Sequence, residues 1–173
     1  TLLKPNDHIF LASGSTIQIL AKSLLHYIPL VIVSDAINIA TTLYEDPRLS
    51  IYMLGGELKS NAFTLTGAIA ENNLRQFRLD KAFISVNGMD EEGQLYTSSV
   101  VESKLLELLF HQVNEVYVLL DASKFYKKDF VAIHTDAPYT IISDAHPNAS
   151  LLEQLNKRHI TLKSEAKRLR KTR

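Results

Sequence analysis

Residues 10–20, Phe-Leu-Ala-Ser-Gly-Ser-Thr-Ile-Gln-Ile-Leu, read as a strand that runs through a glycine turn into a helix. Ile9, Phe10 and Leu11 make a short apolar run of strand character, and Ile17, Leu20, Ala21 and Leu24 then recur at helical spacing. Ser13, Gly14, Ser15 and Thr16 lie between them, where hydroxyls cap helices and glycine tolerates unusual backbone angles. A helix start also presents unpaired N–H groups and the positive end of the helix dipole, which suits a phosphate or a carboxylate. An ordinary Ser/Thr cap that binds nothing has the same signature. The surrounding chain decides between the two.

The same strand-then-helix unit recurs along the chain. Leu30–Ser34 predicts a second buried strand, and 36–45 a helix with Ala36, Ile39, Ala40 and Leu43 on one face. A third strand is expected over 49–54, stopped by Gly55-Gly56, then a helix over 67–77 with Ala70, Leu74 and Phe77 inward. Residues 81–86 predict a fourth strand, punctuated by Asn87-Gly88. Val101, Leu105, Leu108 and Leu109 place a helix over 98–112. Strands follow at 115–120, 130–133, 139–143 and 159–162, with a helix over 148–157. Residues 1–5 read as the tail of an earlier helix, ended by Pro5-Asn6-Asp7. Apolar strands alternating with amphipathic helices predict an α/β fold: a mostly parallel sheet flanked by helices on both faces. One domain is expected to reach residue 163, with 163–173 a basic, solvated tail.

Composition narrows the function classes. The 173 residues suffice for one sizeable domain with a real core, and 46% hydrophobic with 22% charged residues is ordinary for a globular protein. Nineteen basic residues balance nineteen acidic ones, which argues against a surface built throughout for nucleic acid or acidic membrane. No cysteine is present, which excludes disulfides, thiolate chemistry and Cys-ligated zinc. His8, His26, His111, His134, His146 and His159 form no His-x-His or His-x-x-x-His pair, so no metal site is expected. No apolar run approaches the roughly 20 residues of a membrane span, and 1–5 open no secretory signal. The expected location is cytoplasmic, with no membrane partner.

In a parallel sheet, ligands sit outside the carboxyl ends of the strands. The first strand ends in Ser13-Gly14-Ser15-Thr16, the second in Ser34-Asp35 and the third in Gly55-Gly56-Glu57. The fourth ends in Asn87-Gly88, and the fifth in Asp121-Ala122-Ser123-Lys124. Singly these are common turn residues. On one edge they supply hydroxyls, exposed backbone, carboxylates and a lysine, which together suit a polar, anionic small molecule. An anion site built from residues 13–16 together with Lys124 is the expected centre of that pocket.

The ordered set Ala-Ser-Gly-Ser-Thr (12–16), Val-Ser-Asp-Ala-Ile-Asn-Ile-Ala (33–40), Leu-Gly-Gly-Glu-Leu (54–58) and Gln-Phe-Arg-Leu-Asp-Lys-Ala-Phe-Ile (76–84) resembles the effector-sensing domain of DeoR-type transcriptional repressors. Leu-Leu-Asp-Ala-Ser-Lys-Phe (119–125) and Thr-Ile-Ile-Ser-Asp (140–144) complete the match, which covers about residues 5–163. The resemblance implies a fold related to ribose-5-phosphate isomerase and the CoA transferases. It further implies a phosphorylated sugar or similar metabolite as ligand, no cofactor, and DNA contact through an N-terminal winged helix. No helix-turn-helix precedes Thr1, so the sequence is expected to be the sensor without its DNA reader. The sequence departs from the pattern at Ala12, where the family usually has Asp, and at Ser34-Asp35, where it usually has Thr-Asn. It also has Leu106-Glu107 where a Lys-Arg pair is usual.

A non-catalytic sensor competes with an isomerase-like enzyme on the same fold. Aldose–ketose isomerisation needs a placed base and usually a second acid, for which Glu57, Asp121 and Lys124 are the candidates. The missing acid at Ala12 weakens that set, and a sensor needs no base, so the sensor is the expectation. A repressor must place two DNA readers on neighbouring half-sites, so a homo-oligomer is expected. Its contact surfaces would be 62–65 and 127–133, which carry Phe63, Leu65, Phe130 and Val131; the same two stretches could instead fold back over the pocket as a lid.

Overall fold

Strands without polar alternation take the inner positions of a parallel sheet, where both faces are covered. The computed structural model describes residues 2–59 and 62–164. Two units make up the chain. One runs to Ser85 and takes in Gln112–Glu115; the other comprises Val86–His111 and continues from Val116.

The first unit holds β1 (His8–Leu11), α1 (Ser15–Leu24), β2 (Leu30–Ser34), α2 (Ile37–Leu43), β3 (Leu49–Met53), β4 (Glu57–Lys59), β5 (Thr64–Thr66), α3 (Ala68–Leu74) and β6 (Lys81–Ser85). Its main strands lie in the order β6-β1-β2-β3, all parallel. Ile9 stands opposite Ile32, and Phe10 opposite both Val33 and Ala82. Ile9, Phe10, Leu11 and Ile32 are wholly buried. Helix α1 turns Ile17, Ala21 and Leu24 inward at spacings of four and three, the stripe the sequence displays. Because the strands are parallel, the loops leaving β1, β2 and β3 emerge at one edge. β4 and β5 form a separate antiparallel hairpin.

The second unit holds β7 (Gly88–Met89), β8 (Leu95–Thr97), α4 (Val100–Gln112), β9 (Glu115–Leu119), β10 (Val131–Ile133), β11 (Thr140–Ser143), α5 (Ala149–Lys157) and β12 (Thr161–Ser164). β11 pairs in parallel with β9 on one side and β12 on the other. β10, β8 and β7 form a small antiparallel sheet. Asn148 caps α5 by accepting the N–H of Leu151 at 2.9 Å, and Leu151 and Leu155 are its buried pair.

Several expectations change. Leu2–Lys4 has no regular structure where a helix tail was expected, while Thr1 lies outside the described residues. Helix α2 starts after Ala36, because Ala36 pairs with Thr64 instead. The last strand starts at Thr161 and not at His159, since His159 takes φ 56 in the turn that closes α5. Lys163 and Ser164 belong to that strand; the rest of the expected basic tail, 165–173, lies outside the described residues. The hairpin β4–β5 and the short strands β7 and β8 carry no sequence signal, being two or three residues long.

Candidate functional site

The loop between β1 and α1 is fixed from three sides. Ala12 continues β1 by donating its N–H to Phe83 O at 3.0 Å. Ser13 donates its N–H to Asp35 Oδ1, also at 3.0 Å. Gly14 then takes φ 128 and ψ 151, a conformation essentially reserved for glycine. Its carbonyl accepts the Gln18 N–H at 3.0 Å and so begins the helix. No side chain caps α1, which corrects the expectation of a Ser/Thr cap. Gly14 and Ser15 are exposed, and Ser13 and Thr16 half-buried. The first turn of α1 thus opens without a capping side chain, its N–H groups at the positive end of the dipole. An anion can use that arrangement.

The neighbouring loop after β2 divides its labour. Ser34 is buried, donates its hydroxyl to Leu11 O at 2.7 Å and accepts the Ala36 N–H at 3.0 Å. It ties two strand ends together. Asp35 is only 2% exposed and turns its carboxylate to Ser13. One step into α2, the side-chain oxygen of Asn38 is buried without a hydrogen-bond partner.

The third loop is shaped by backbone approach. Gly55 donates its N–H to Asn73 Oδ1 at 2.9 Å, and a Cβ there would stand 2.8 Å from that oxygen. At Gly56, with φ 128, a Cβ would meet Thr66 O at 2.4 Å. Glu57 is exposed on β4 and pairs with Lys59 at 2.9 Å. Two residues that sequence reasoning missed belong here. Asn73 shows itself only by facing Gly55, and Ser85 by standing 3.3 Å from where a Gly14 Cβ would be.

In the second unit, Asp121 accepts both the N–H and the hydroxyl of Ser123, at 2.8 and 2.5 Å. That bond, with Lys124 and Lys127 nearby, holds its carboxyl below the usual carboxylate range. Lys124 ends the short 3-10 turn Ala122–Lys124 and is half-buried. Asp144, at the end of β11, accepts the Ala122 N–H at 3.0 Å and was not singled out from the sequence as a site residue. Asn87 donates its N–H to Tyr96 O at 2.8 Å, and a Cβ at Gly88 would lie 2.3 Å from Lys127 O. Leu106 is buried in the core, and Glu107 accepts the His134 N–H at 2.8 Å, so that departure from the family pattern has structural work.

A cavity of about 490 Å³ opens at the opposite edge of the first unit's sheet, beside His8, Arg75, Arg78, Asp80 and Asn114. Another of about 570 Å³ is lined by His146, Asn156 and His159 in the second unit. Neither is lined by the strand-end residues. Among the described residues no group of three His, Asp or Glu side chains could hold a metal ion, and no helix is long and apolar enough to cross a membrane.

Residues 1–145 match the family model of the DeoR C-terminal sensor domain. The lactose phosphotransferase system repressor of Staphylococcus epidermidis is 34% identical over 131 residues, which are 75% of this chain and 51% of that protein. The glycerol-3-phosphate regulon repressor of Escherichia coli is 30% identical over 158 residues, 89% of this chain and 62% of that protein. The chain therefore spans little more than half the length of these relatives. Among solved structures, ribose 5-phosphate isomerase A from Methanocaldococcus jannaschii superposes with a TM-score of 0.50 at 15% identity, over 72% of this chain and 48% of that one. eIF2B beta from Chaetomium thermophilum gives 0.54 at 14% identity, over 75% of this chain and 37% of that one. At such identities the likeness speaks to the fold alone.

Proposed function

Because this chain belongs to the DeoR C-terminal sensor domain family, we propose that it binds a phosphorylated sugar or related metabolite and so controls DNA binding by a winged helix outside this sequence. The observation that carries the reading is the start of α1. Its first turn has no capping side chain, and its exposed Gly14 and Ser15 sit at the carboxyl edge of the sheet. The relatives' names point the same way, since one is a repressor of a glycerol-3-phosphate regulon and another of a lactose phosphotransferase system. The work of such a protein is cytoplasmic and needs a homo-oligomer to present two DNA readers.

The sensor reading is favoured over an isomerase by the state of the candidate bases. Asp121, held below the usual range by Ser123, is a weak proton acceptor. Glu57 is exposed on the hairpin and paired with Lys59. A ligand-induced shift in an equilibrium asks for no base at all.

A thermal-shift screen of phosphorylated sugars and polyols, each beside its dephosphorylated counterpart, tests the reading. A ligand at one hundred times its Kd adds about 2.7 kcal/mol of stability. For a chain of this length that raises Tm by roughly 5–10 °C. Equal shifts for phosphorylated and dephosphorylated forms throughout the screen would refute the phosphate-binding reading. Turnover of any of these compounds to an isomer would refute the non-enzymatic one.

A further inference from the structure

Asp35 grips two segments at once. Its side-chain Oδ1 accepts the Ser13 N–H of the α1 loop at 3.0 Å, and its main-chain carbonyl accepts the Leu65 N–H of β5 at 2.7 Å. The adjoining residues extend the second grip. Ala36 pairs with Thr64, and Ile37 donates its N–H to Phe63 O at 2.9 Å. β5 is therefore laid along residues 35–37 by main-chain bonds, while the Asp35 carboxylate holds the loop ahead of α1.

The backbone takes unusual angles at both ends of β5. Phe63 has φ 53 and Gly67 φ 91, both left-handed values. Such an angle is an outlier for a bulky residue. Phe63 is also 57% exposed, so packing does not hold it there. Its carbonyl accepts the Ile37 N–H. At Gly67 a Cβ would meet nothing within 4 Å, so this glycine marks a backbone requirement in open space.

We propose that Asp35 is a positioning residue through which an anion on the α1 loop releases β5. The proposal rests on the reading above, that the ligand's phosphate seats on the first turn of α1. A phosphate on the N–H groups after Gly14 stands beside a carboxylate with almost no water around it. Like charges in such a setting repel strongly. The carboxylate relieves the repulsion by leaving Ser13, and its peptide turns with it. That peptide carries the bond to Leu65, so β5 loosens and Phe63 leaves its left-handed angle. Linkage makes the effect reciprocal: whatever frees β5 alters the loop's affinity for the anion by the same factor.

Amide hydrogen exchange in the folded chain reads both directions. Without ligand, Asp35→Ala removes the acceptor of Ser13, and Leu65→Pro removes the N–H that the Asp35 carbonyl accepts. One hydrogen bond of ordinary strength is worth roughly three- to tenfold in such an opening equilibrium. Exchange should rise by that factor at Leu65 and Ile37 in the first variant, and at Ser13 in the second. Unchanged exchange at the far end in both variants overturns the coupling.

With saturating glycerol 3-phosphate or inorganic phosphate, exchange at Leu65 and Ile37 should rise severalfold in the parent chain. It should stay flat with glycerol, and flat in Asp35→Asn, which keeps an oxygen for Ser13 and loses the charge. A thermal shift that shows the phosphate bound, with exchange at Leu65 and Ile37 unchanged or slower, overturns the proposal and leaves the sensor reading standing. Absence of any shift across the phosphorylated compounds sinks the sensor reading and the anion trigger together. The ligand-free variants then report on the coupling alone.

Discussion

Replacing Gly14 with alanine asks whether that residue specifies the α1 loop. At φ 128 and ψ 151 an L-residue is held in a region that costs ~1–3 kcal/mol. The new Cβ would also stand 3.3 Å from the Cβ of Ser85, so Ser85 must give a few tenths of an ångström. The two effects together should cost about 2–3 kcal/mol. For a chain of this length Tm then falls by roughly 5–10 °C. Urea unfolding of Gly14→Ala, Ser85→Gly and the double variant separates the contributions. Ser85→Gly removes the close neighbour and leaves the backbone angle, so the double should recover only the steric share. The stabilisation by a phosphorylated ligand should shrink in Gly14→Ala, because the N–H groups of the first turn are aimed elsewhere. An alanine variant within about 0.5 kcal/mol of the parent would refute the reasoning. The loop would then not depend on a glycine-only conformation, and the anion site would lose its structural basis.

Other elements make equally definite predictions. Asp46 is buried, and the Arg48 guanidinium, with the His26 and Arg48 N–H groups, holds its carboxyl far below the usual range. A folded pKa below the unfolded one means that its stabilisation is complete above the ordinary carboxylate range and lost as pH falls below about 4. Asp46→Asn should lower Tm at pH 7 and flatten the acid limb of a Tm–pH profile; an acid limb parallel to the parent's would contradict this. Lys81, buried 2.7 Å from Asp7, should prove costly to remove alone. Lys81→Met, read by urea unfolding, should lose about 3 kcal/mol by stranding the Asp7 carboxylate, and Asp7→Leu on top should restore most of it. Light scattering over a dilution series should show self-association that Phe63→Asp or Phe130→Asp weakens, since the two rings are 57% and 79% exposed. A monomer at tens of micromolar in the parent chain would remove that assembly proposal.

The strands were legible because burial on both faces leaves no choice of composition: Ile9–Leu11, Leu30–Val33 and Ala82–Ile84 had to be apolar wherever they sat. The helices were legible from their stripes, as with Ile17, Ala21 and Leu24. Elements held by backbone pairing alone were not. β5 pairs with β4 and with the main chain of residues 35–37, and none of those backbone bonds depends on which side chains β5 carries. Residue type leaves two readings at Ser34 for a related reason. A serine at a strand end is a ligand group or a strand tie according to where its hydroxyl turns, and here it turns to Leu11 O.

The acid at position 35 is where sequence and structure differ most usefully. By type Asp35 reads as a pocket ligand, an acid where the family usually has Asn, while Ala12 lacks the usual one. In the fold Ala12 is buried and pairs its N–H with Phe83 O, while the Asp35 carboxylate accepts Ser13. Ser13's own N–H is therefore already engaged, and an incoming anion has to be held by the N–H groups that follow Gly14. Those groups belong to the helix itself, so their direction is set by the glycine's backbone angle and by the packing of Ile17 beneath them. The carboxylate that orients the loop is of the same sign as the ligand the loop is proposed to attract. Tight anion binding and an undisturbed Asp35 cannot both be maximal. In the mechanism proposed above, that conflict is what reports occupancy to β5, and a loop oriented by a neutral acceptor would lack it.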